Sequence, residues 1–247
     1  MPEQAPVVLI TGAARRIGAA IATRLHQCGY RVIIHYQNSA ADAKELCATL
    51  NASRADSAHS LQANLLDIDS VGQLAEASIA HWGQLDALVN NASSFYPTPL
   101  PKATNRQWNE LLGSNLKGPF FLCQALAEEL KKRCGSIVNI ADIHAHQPLK
   151  NHSIYCIAKA GNKMLTKTLA NDLAPNVRVN GIAPGVILWP EDNNSNNASE
   201  QQRLITTVPL QRMGSSEDIA KLAEFFITSA SYITGQTVAV DGGKHLN

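Results

Sequence analysis

The sequence predicts an α/β protein: a doubly wound, mostly parallel, seven-stranded sheet with helices on both faces, built as a single domain over residues 1–247. Two observations carry this. Short runs rich in Val, Ile and Leu alternate with amphipathic stretches along the whole chain, the pattern of parallel strands joined by right-handed crossover helices. In addition, 247 residues that are 45% hydrophobic and 17% charged suit one well-buried core, and no Gly/Ser or Pro-rich linker divides them.

The elements follow in order. Pro6 to Thr11 is a buried strand ended by Gly12, and Ile17 to Cys28 a helix stopped by Gly29. Arg31 to His35 and Ala40 to Leu50 form the second strand and helix. Ser60 to Ala63 is a weaker third strand before a helix over Val71 to Ala80. Asp86 to Val89 is the fourth strand. A long helix spans Asn105 to Lys132, with a kink or bend expected at Pro119. Ser136 to Ala141, Val177 to Ile182 and Gln236 to Val240 are the last three strands, with helices over Ser153 to Leu173 and Ser216 to Thr228. The segment Pro190 to Gln202, with Glu191-Asp192-Asn193-Asn194 at its start, breaks the alternation. Within residues 186–208 it reads as a substrate lid near the C-terminal end, with an inert surface insertion as the alternative.

Charge excludes several partners. Lys plus Arg number 21 against 20 Asp plus Glu, a formal charge of +1, which gives no electrostatic reason for nucleic acid or an anionic membrane. No run approaches the ~18 apolar residues of a membrane span. The five cysteines are odd in number and show neither C-x-x-C nor zinc spacing, so reduced thiols, a cytoplasmic location and no metal centre are expected. Residues 1–6 lack the features of a secretory signal. A small-molecule partner remains.

Thr11-Gly12-Ala13-Ala14-Arg15-Arg16-Ile17-Gly18 joins the first strand to the first helix. Small residues allow a tight turn, and the helix start offers N–H groups and a positive dipole end to a pyrophosphate. The spacing is not G-x-G-x-x-G, because Arg16 stands near the middle glycine's place, so this turn alone is a weak signal. The second strand ends His35-Tyr36-Gln37-Asn38-Ser39 without the carboxylate that holds NAD ribose hydroxyls. Ser39 with Arg15 suits a 2′-phosphate instead, which favours NADPH.

Tyr155 and Lys159 lie four apart, on one helical face. A phenol, pKa about 10, is a poor proton donor at neutral pH, and a neighbouring ammonium is expected to lower that value. Asp142 follows the fifth strand directly and falls near the same edge. Asn115 adds a polar contact from the long helix.

At these residues the chain resembles the short-chain dehydrogenase/reductase family, a Rossmann-type fold. Thr11-Gly12 with Gly18, Asn90-Asn91-Ala92, Asn115, Tyr155 with Lys159, Pro184-Gly185 and Asp241-Gly242-Gly243 carry the resemblance in order. It implies cofactor contacts from Gly12, Arg15, Arg16, Ile17, His35, Tyr36, Ser39, Asn64, Leu65, Asn91, Ala92, Ser93, Tyr155, Lys159, Pro184, Gly185 and Ile187. Two departures narrow it: Asp142 replaces the usual serine, and Arg16 the middle glycine. With Ser93-Ser94-Phe95-Tyr96-Pro97 they look like pteridine reductases, which reduce pterins and often dihydrofolate with NADPH. That resemblance implies a substrate site of Arg16, Ser93, Phe95, Asp142 and Tyr155, with the pterin ring between Phe95 and the nicotinamide. It also implies a homotetramer paired through long helices, for which Leu111, Leu112, Phe120, Phe121 and Leu165 are candidate contacts if they are not core. The tail Lys244-His245-Leu246-Asn247 is expected near a neighbour's site. Relatives often place an arginine at Asn38, so the preference for NADPH over NADH rests on Arg15 and Ser39. The rival readings are a ketone or 3-oxoacyl reductase of the same fold, and a catalytically silent NADP(H)-binding sensor.

Overall fold

A computed structural model of the chain describes residues 5–187 and 198–246. Seven strands, β1 (Val7–Ile10), β2 (Arg31–Tyr36), β3 (Ala58–Gln62), β4 (Ala87–Asn90), β5 (Ser136–Ile140), β6 (Arg178–Pro184) and β7 (Thr237–Val240), form one sheet in the order β3-β2-β1-β4-β5-β6-β7. Every adjacent pair is parallel, with β1 set against both β2 and β4. The expected strands are all present, with ends displaced by one or two residues.

The strands read as apolar runs because both faces are covered. Val8, Ile10, Val32, Ile34, Val89 and Val138 face one way, against α1 (Arg16–Gln27), α2 (Ala40–Ser53) and α8 (Ser216–Thr228). Val7, Leu9, Ile33, Leu88 and Ile137 face the other, against α3 (Ile68–Trp82), α5 (Gly118–Lys132) and α6 (Ser153–Asp172). Helix ends follow local chemistry. Asp67 caps α3 through its side chain, left-handed Gly83 ends it, and Ser215 and Asp218 form a capping box at α8,.

The long helix expected over Asn105 to Lys132 is interrupted. Helix α4 (Asn105–Leu112) passes into a π turn over Gly113–Lys117 before α5 begins. Pro119, at the start of α5, has no N–H to give the carbonyl four residues back, that of Asn115. That carbonyl instead accepts the side-chain N–H of Asn162 at 3.1 Å. The expected bend is thus a widened turn, and it delivers Asn115 to the site.

Residues 188–197 of the lid segment lie outside the described residues. The segment continues into helix α7 (Ala198–Thr206). Among the described residues, no helix is long and apolar enough to cross a membrane.

Candidate active site

All the sequence-predicted site residues lie at or beyond the carboxyl ends of strands, along the edge where doubly wound sheets bind ligands. Gly12 to Gly18 follow β1, and His35, Tyr36 and Ser39 end β2. Asn64-Leu65 follow β3, Asn91 to Phe95 follow β4, Asp142 follows β5, and Pro184 to Ile187 end β6. The strand order reverses between β1 and β4, and here the two exits are tied together. Asn91 donates through Nδ2 to the carbonyls of Thr11 and Gly12 at 2.9 and 3.0 Å. Thr11 Oγ1 accepts the N–H groups of Asn91 and Ala92 at 2.9 and 3.0 Å.

This turn fits a dinucleotide pyrophosphate. Gly12 has φ of +61° and packs against Ala92, a conformation that favours glycine. A Cβ on Gly18 would stand 2.3 Å from the Gly12 carbonyl oxygen and 2.6 Å from Asn91 Nδ2, so only glycine lets α1 begin this close to the turn. Arg16 adopts φ of +56° at that helix start, a strained conformation for a non-glycine residue, costing on the order of 1 kcal/mol. Arg15 Nε lies 4.0 Å from Asp42 in the first turn of α2, and Ser39 is the N-cap of that helix, its hydroxyl making no cap bond. Leu65, Pro184 and Ile187 are buried, so what they offer a cofactor is backbone. Asn64 accepts at Oδ1 from Gln37 and from the Leu66 N–H.

The catalytic candidates come together. The Tyr155 hydroxyl donates to Asp142 Oδ2 at 2.6 Å, while Asp142 Oδ1 accepts the His144 N–H at 2.8 Å and fixes the carboxylate. Lys159 is buried to 2% exposure; its Nζ donates to the Ile140 carbonyl at 2.9 Å and lies 5.7 Å from the Tyr155 ring centroid. Burial lowers the Lys159 pKa to about 8 against a raising influence of Asp142.

The direction expected for Tyr155 is overturned. Burial first, and then the adjacent Asp142 carboxylate, push its pKa well above the ordinary phenol value. The carboxylate bonds the hydroxyl directly and favours the neutral phenol, while the ammonium points at a backbone carbonyl. Tyr155 is therefore protonated at neutral pH, its proton directed at Asp142,.

Asn115 joins through Ser93, whose hydroxyl donates to Asn115 Oδ1 at 2.6 Å; Asn115 Nδ2 donates to the carbonyls of Ser94 and Leu111 at 3.0 and 2.9 Å. Phe95 is 49% exposed. Its ring meets Tyr155 edge-on at 4.8 Å and stacks on His152 at 4.8 Å with a 12° interplanar angle. His152 was not legible as a site residue, since a helix-start histidine carries no motif. Its one signal is its place a turn before Tyr155.

Other expectations shift. Leu111 and Leu165 are core residues, as are the partly buried Leu112 and Phe121. Phe120 is exposed, and the further exposed apolar residues on these helices are Trp108, Ile157 and Met164. Within the chain, His245 Nδ1 lies 2.7 Å from Asp241 Oδ2, and Gln147 Nε2 donates to the His245 carbonyl at 2.6 Å. Among the described residues, no group of three His, Cys, Asp or Glu side chains is placed to hold a metal, and the five cysteines are unpaired.

A glycine turn at the sheet's switch point, with a tyrosine and a buried lysine beside it, defines the site of an oxidoreductase. The profile of the family described as Enoyl-(Acyl carrier protein) reductase matches residues 12–245. The chain is 38% identical to pteridine reductase 1 of Leishmania tarentolae over 283 aligned residues, covering 98% of this chain and 97% of that one. It is 34% identical, over 241 residues, to the 3-oxoacyl-[acyl-carrier-protein] reductases of Staphylococcus aureus and Staphylococcus epidermidis. Those matches cover 96% of this chain and 97% and 98% of the relatives. The chain belongs to the short-chain dehydrogenase/reductase family, whose members bind NAD(H) or NADP(H).

Proposed function

We propose that this protein is an NADPH-dependent reductase of pterins, converting biopterin, dihydrobiopterin or dihydromonapterin to the tetrahydro form, with dihydrofolate as a further acceptor. The observation that carries the reading is the 2.6 Å hydrogen bond from Tyr155 to Asp142. Ketone reduction develops an alkoxide, which wants donors around it. A carboxylate in that position repels such charge by about 4 kcal/mol at 4 Å and an effective dielectric of 20. Hydride addition to a C=N bond leaves its electron pair on nitrogen, and that nitrogen, unlike a ketone oxygen, is basic enough to take its proton before or as hydride arrives; little anionic charge then builds up and a carboxylate beside the donor is tolerated.

NADPH supplies the hydride when bound. Gly18 and the start of α1, set by the Gly12 turn, would receive its pyrophosphate, Arg15 and Ser39 would hold its 2′-phosphate, and Lys159 the nicotinamide ribose. Phe95 offers one face to the pterin, its other face being covered by His152. Ser93 and Arg16 lie toward the polar edge of the ring. Tyr155 gives its proton to the ring nitrogen as the neighbouring carbon accepts hydride; Asp142 orients the phenol and, with a water, returns the proton. The protein works in the cytoplasm as a homotetramer, with Trp108, Phe120, Ile157 and Met164 at the helical interface.

The 3-oxoacyl relatives favour a second reading, a ketoacyl reductase. The deciding experiment is NADPH oxidation by purified protein with dihydrobiopterin, dihydrofolate or an acetoacetyl thioester. A kcat/KM at least tenfold higher for the pterin is expected. A preference for the thioester overturns the proposal, and NADPH binding without turnover of any acceptor supports the sensor reading.

A further inference from the structure

His35 is buried to 2% exposure at the end of β2, and its ring spans the exits of the two neighbouring strands. The Gly12 N–H donates to His35 Nδ1 at 3.1 Å, and Nε2 lies 3.2 Å from the Ala63 carbonyl oxygen. The His35 carbonyl also accepts the Ala13 N–H at 2.9 Å. A backbone N–H only donates and a carbonyl only accepts. The ring therefore carries a lone pair on Nδ1 and its proton on Nε2, and no other protonation state satisfies both contacts. Burial, partly offset by the Ala63 carbonyl, holds its pKa at about 4, so this neutral form persists through the physiological range.

Both contacts fall on the proposed cofactor floor. Gly12, at φ of +61°, sits in a turn whose glycine leaves the backbone loosely determined. Two side chains remove that freedom. Asn91 holds the carbonyls of Thr11 and Gly12 from the β4 side, and His35 holds the Gly12 N–H from the β2 side. Because that N–H points into the ring, it is not offered to a phosphate. At its far side the same ring grips Ala63, immediately before Asn64 and Leu65.

We infer that His35 is a positioning residue for the dinucleotide: its neutral Nε2–H ring locks the glycine turn and ties the pyrophosphate end of the site to the adenine end. The inference rests on the NADPH reading. A ligand that spans both ends gains affinity from such preorganisation without touching the ring.

The test is NADPH affinity, measured by fluorescence on wild type, H35V and H35N, with a thermal melt of each. H35V removes both contacts and leaves the Gly12 N–H buried without an acceptor; its Kd is expected to rise on the order of 10- to 100-fold. H35N keeps an oxygen near the Nδ1 position and is expected to recover most of that loss. In wild type without cofactor, the ring nitrogens' NMR signals should report protonated Nε2 and bare Nδ1 near neutral pH. A wild-type Kd for folded H35V, equal weakening in both variants, or a ring protonated on Nδ1 overturns the inference. The ring measurement decides even if neither variant folds. Absence of NADPH binding by wild type would sink the cofactor reading itself, a result distinct from the first three.

Discussion

Asp142→Ser is the perturbation that separates the two reductase chemistries. It removes the carboxylate that accepts the Tyr155 hydroxyl at 2.6 Å. A hydrogen bond to a charged group contributes about 1.5–3 kcal/mol, and each 1.36 kcal/mol is tenfold in rate. Loss of this bond, with the proton return that Asp142 provides, is expected to lower pterin kcat/KM by about 10- to 150-fold. The same change relieves repulsion of a developing alkoxide, up to about 4 kcal/mol at an effective dielectric of 20, so ketone reduction should rise by as much as about 100- to 1000-fold. Steady-state kinetics with dihydrobiopterin and an acetoacetyl thioester read both arms, and NADPH fluorescence should show Kd unchanged within about twofold, since the substitution leaves the glycine turn intact. A spectroscopic titration supplies an independent readout. Asp142 is one cause of the raised Tyr155 pKa, so that pKa should fall in the variant. If the ratio of the two kcat/KM values stays at its wild-type value in a folded, NADPH-binding variant, the role assigned to the carboxylate is wrong.

Three further outcomes are expected. Gly18→Ala forces a Cβ against the Gly12 carbonyl at 2.3 Å; the turn must open at about 1–3 kcal/mol, so a melt should fall by roughly 2–12 °C and NADPH binding should be lost. For His35, the folded pKa of about 4 lies below the ordinary 6.5, so the unfolded chain binds the extra proton. Stability should therefore fall as pH drops from 6.5 to 4, by about 3 kcal/mol in all, and urea unfolding of H35N against pH should lack this part of the slope. Lys159→Met should abolish turnover yet raise stability by about 2 kcal/mol at neutral pH. The buried ammonium, with pKa lowered to about 8, is a cost present below that pH and relieved as pH rises toward 10.5, and its removal forfeits only about 1 kcal/mol of hydrogen bonding to Ile140.

Much of this protein was legible in one dimension. Alternating apolar and amphipathic runs determine the parallel sheet, because a strand buried on both faces leaves a continuous apolar run and a crossover helix a periodic one, and no distant residue can erase either. The same holds for the glycine turn and for Tyr155 with Lys159, since a tight turn and a shared helical face depend on neighbours in sequence. Interactions between elements left no such trace. That the Tyr155 pKa rises depends on which group reaches the hydroxyl first, and the sequence gives Lys159 and Asp142 equal claim; only packing turns the ammonium onto the Ile140 carbonyl and the carboxylate onto the phenol. The π turn at Asn115 needs both Pro119 and an acceptor-seeking Asn162 from another helix. The ring of His35 becomes a strut only when the exits of β1 and β3 flank it. Local periodicity set the scaffold, and long-range contacts decided where the protons sit, because a charge responds to everything around it while a strand or turn responds mainly to its own residues.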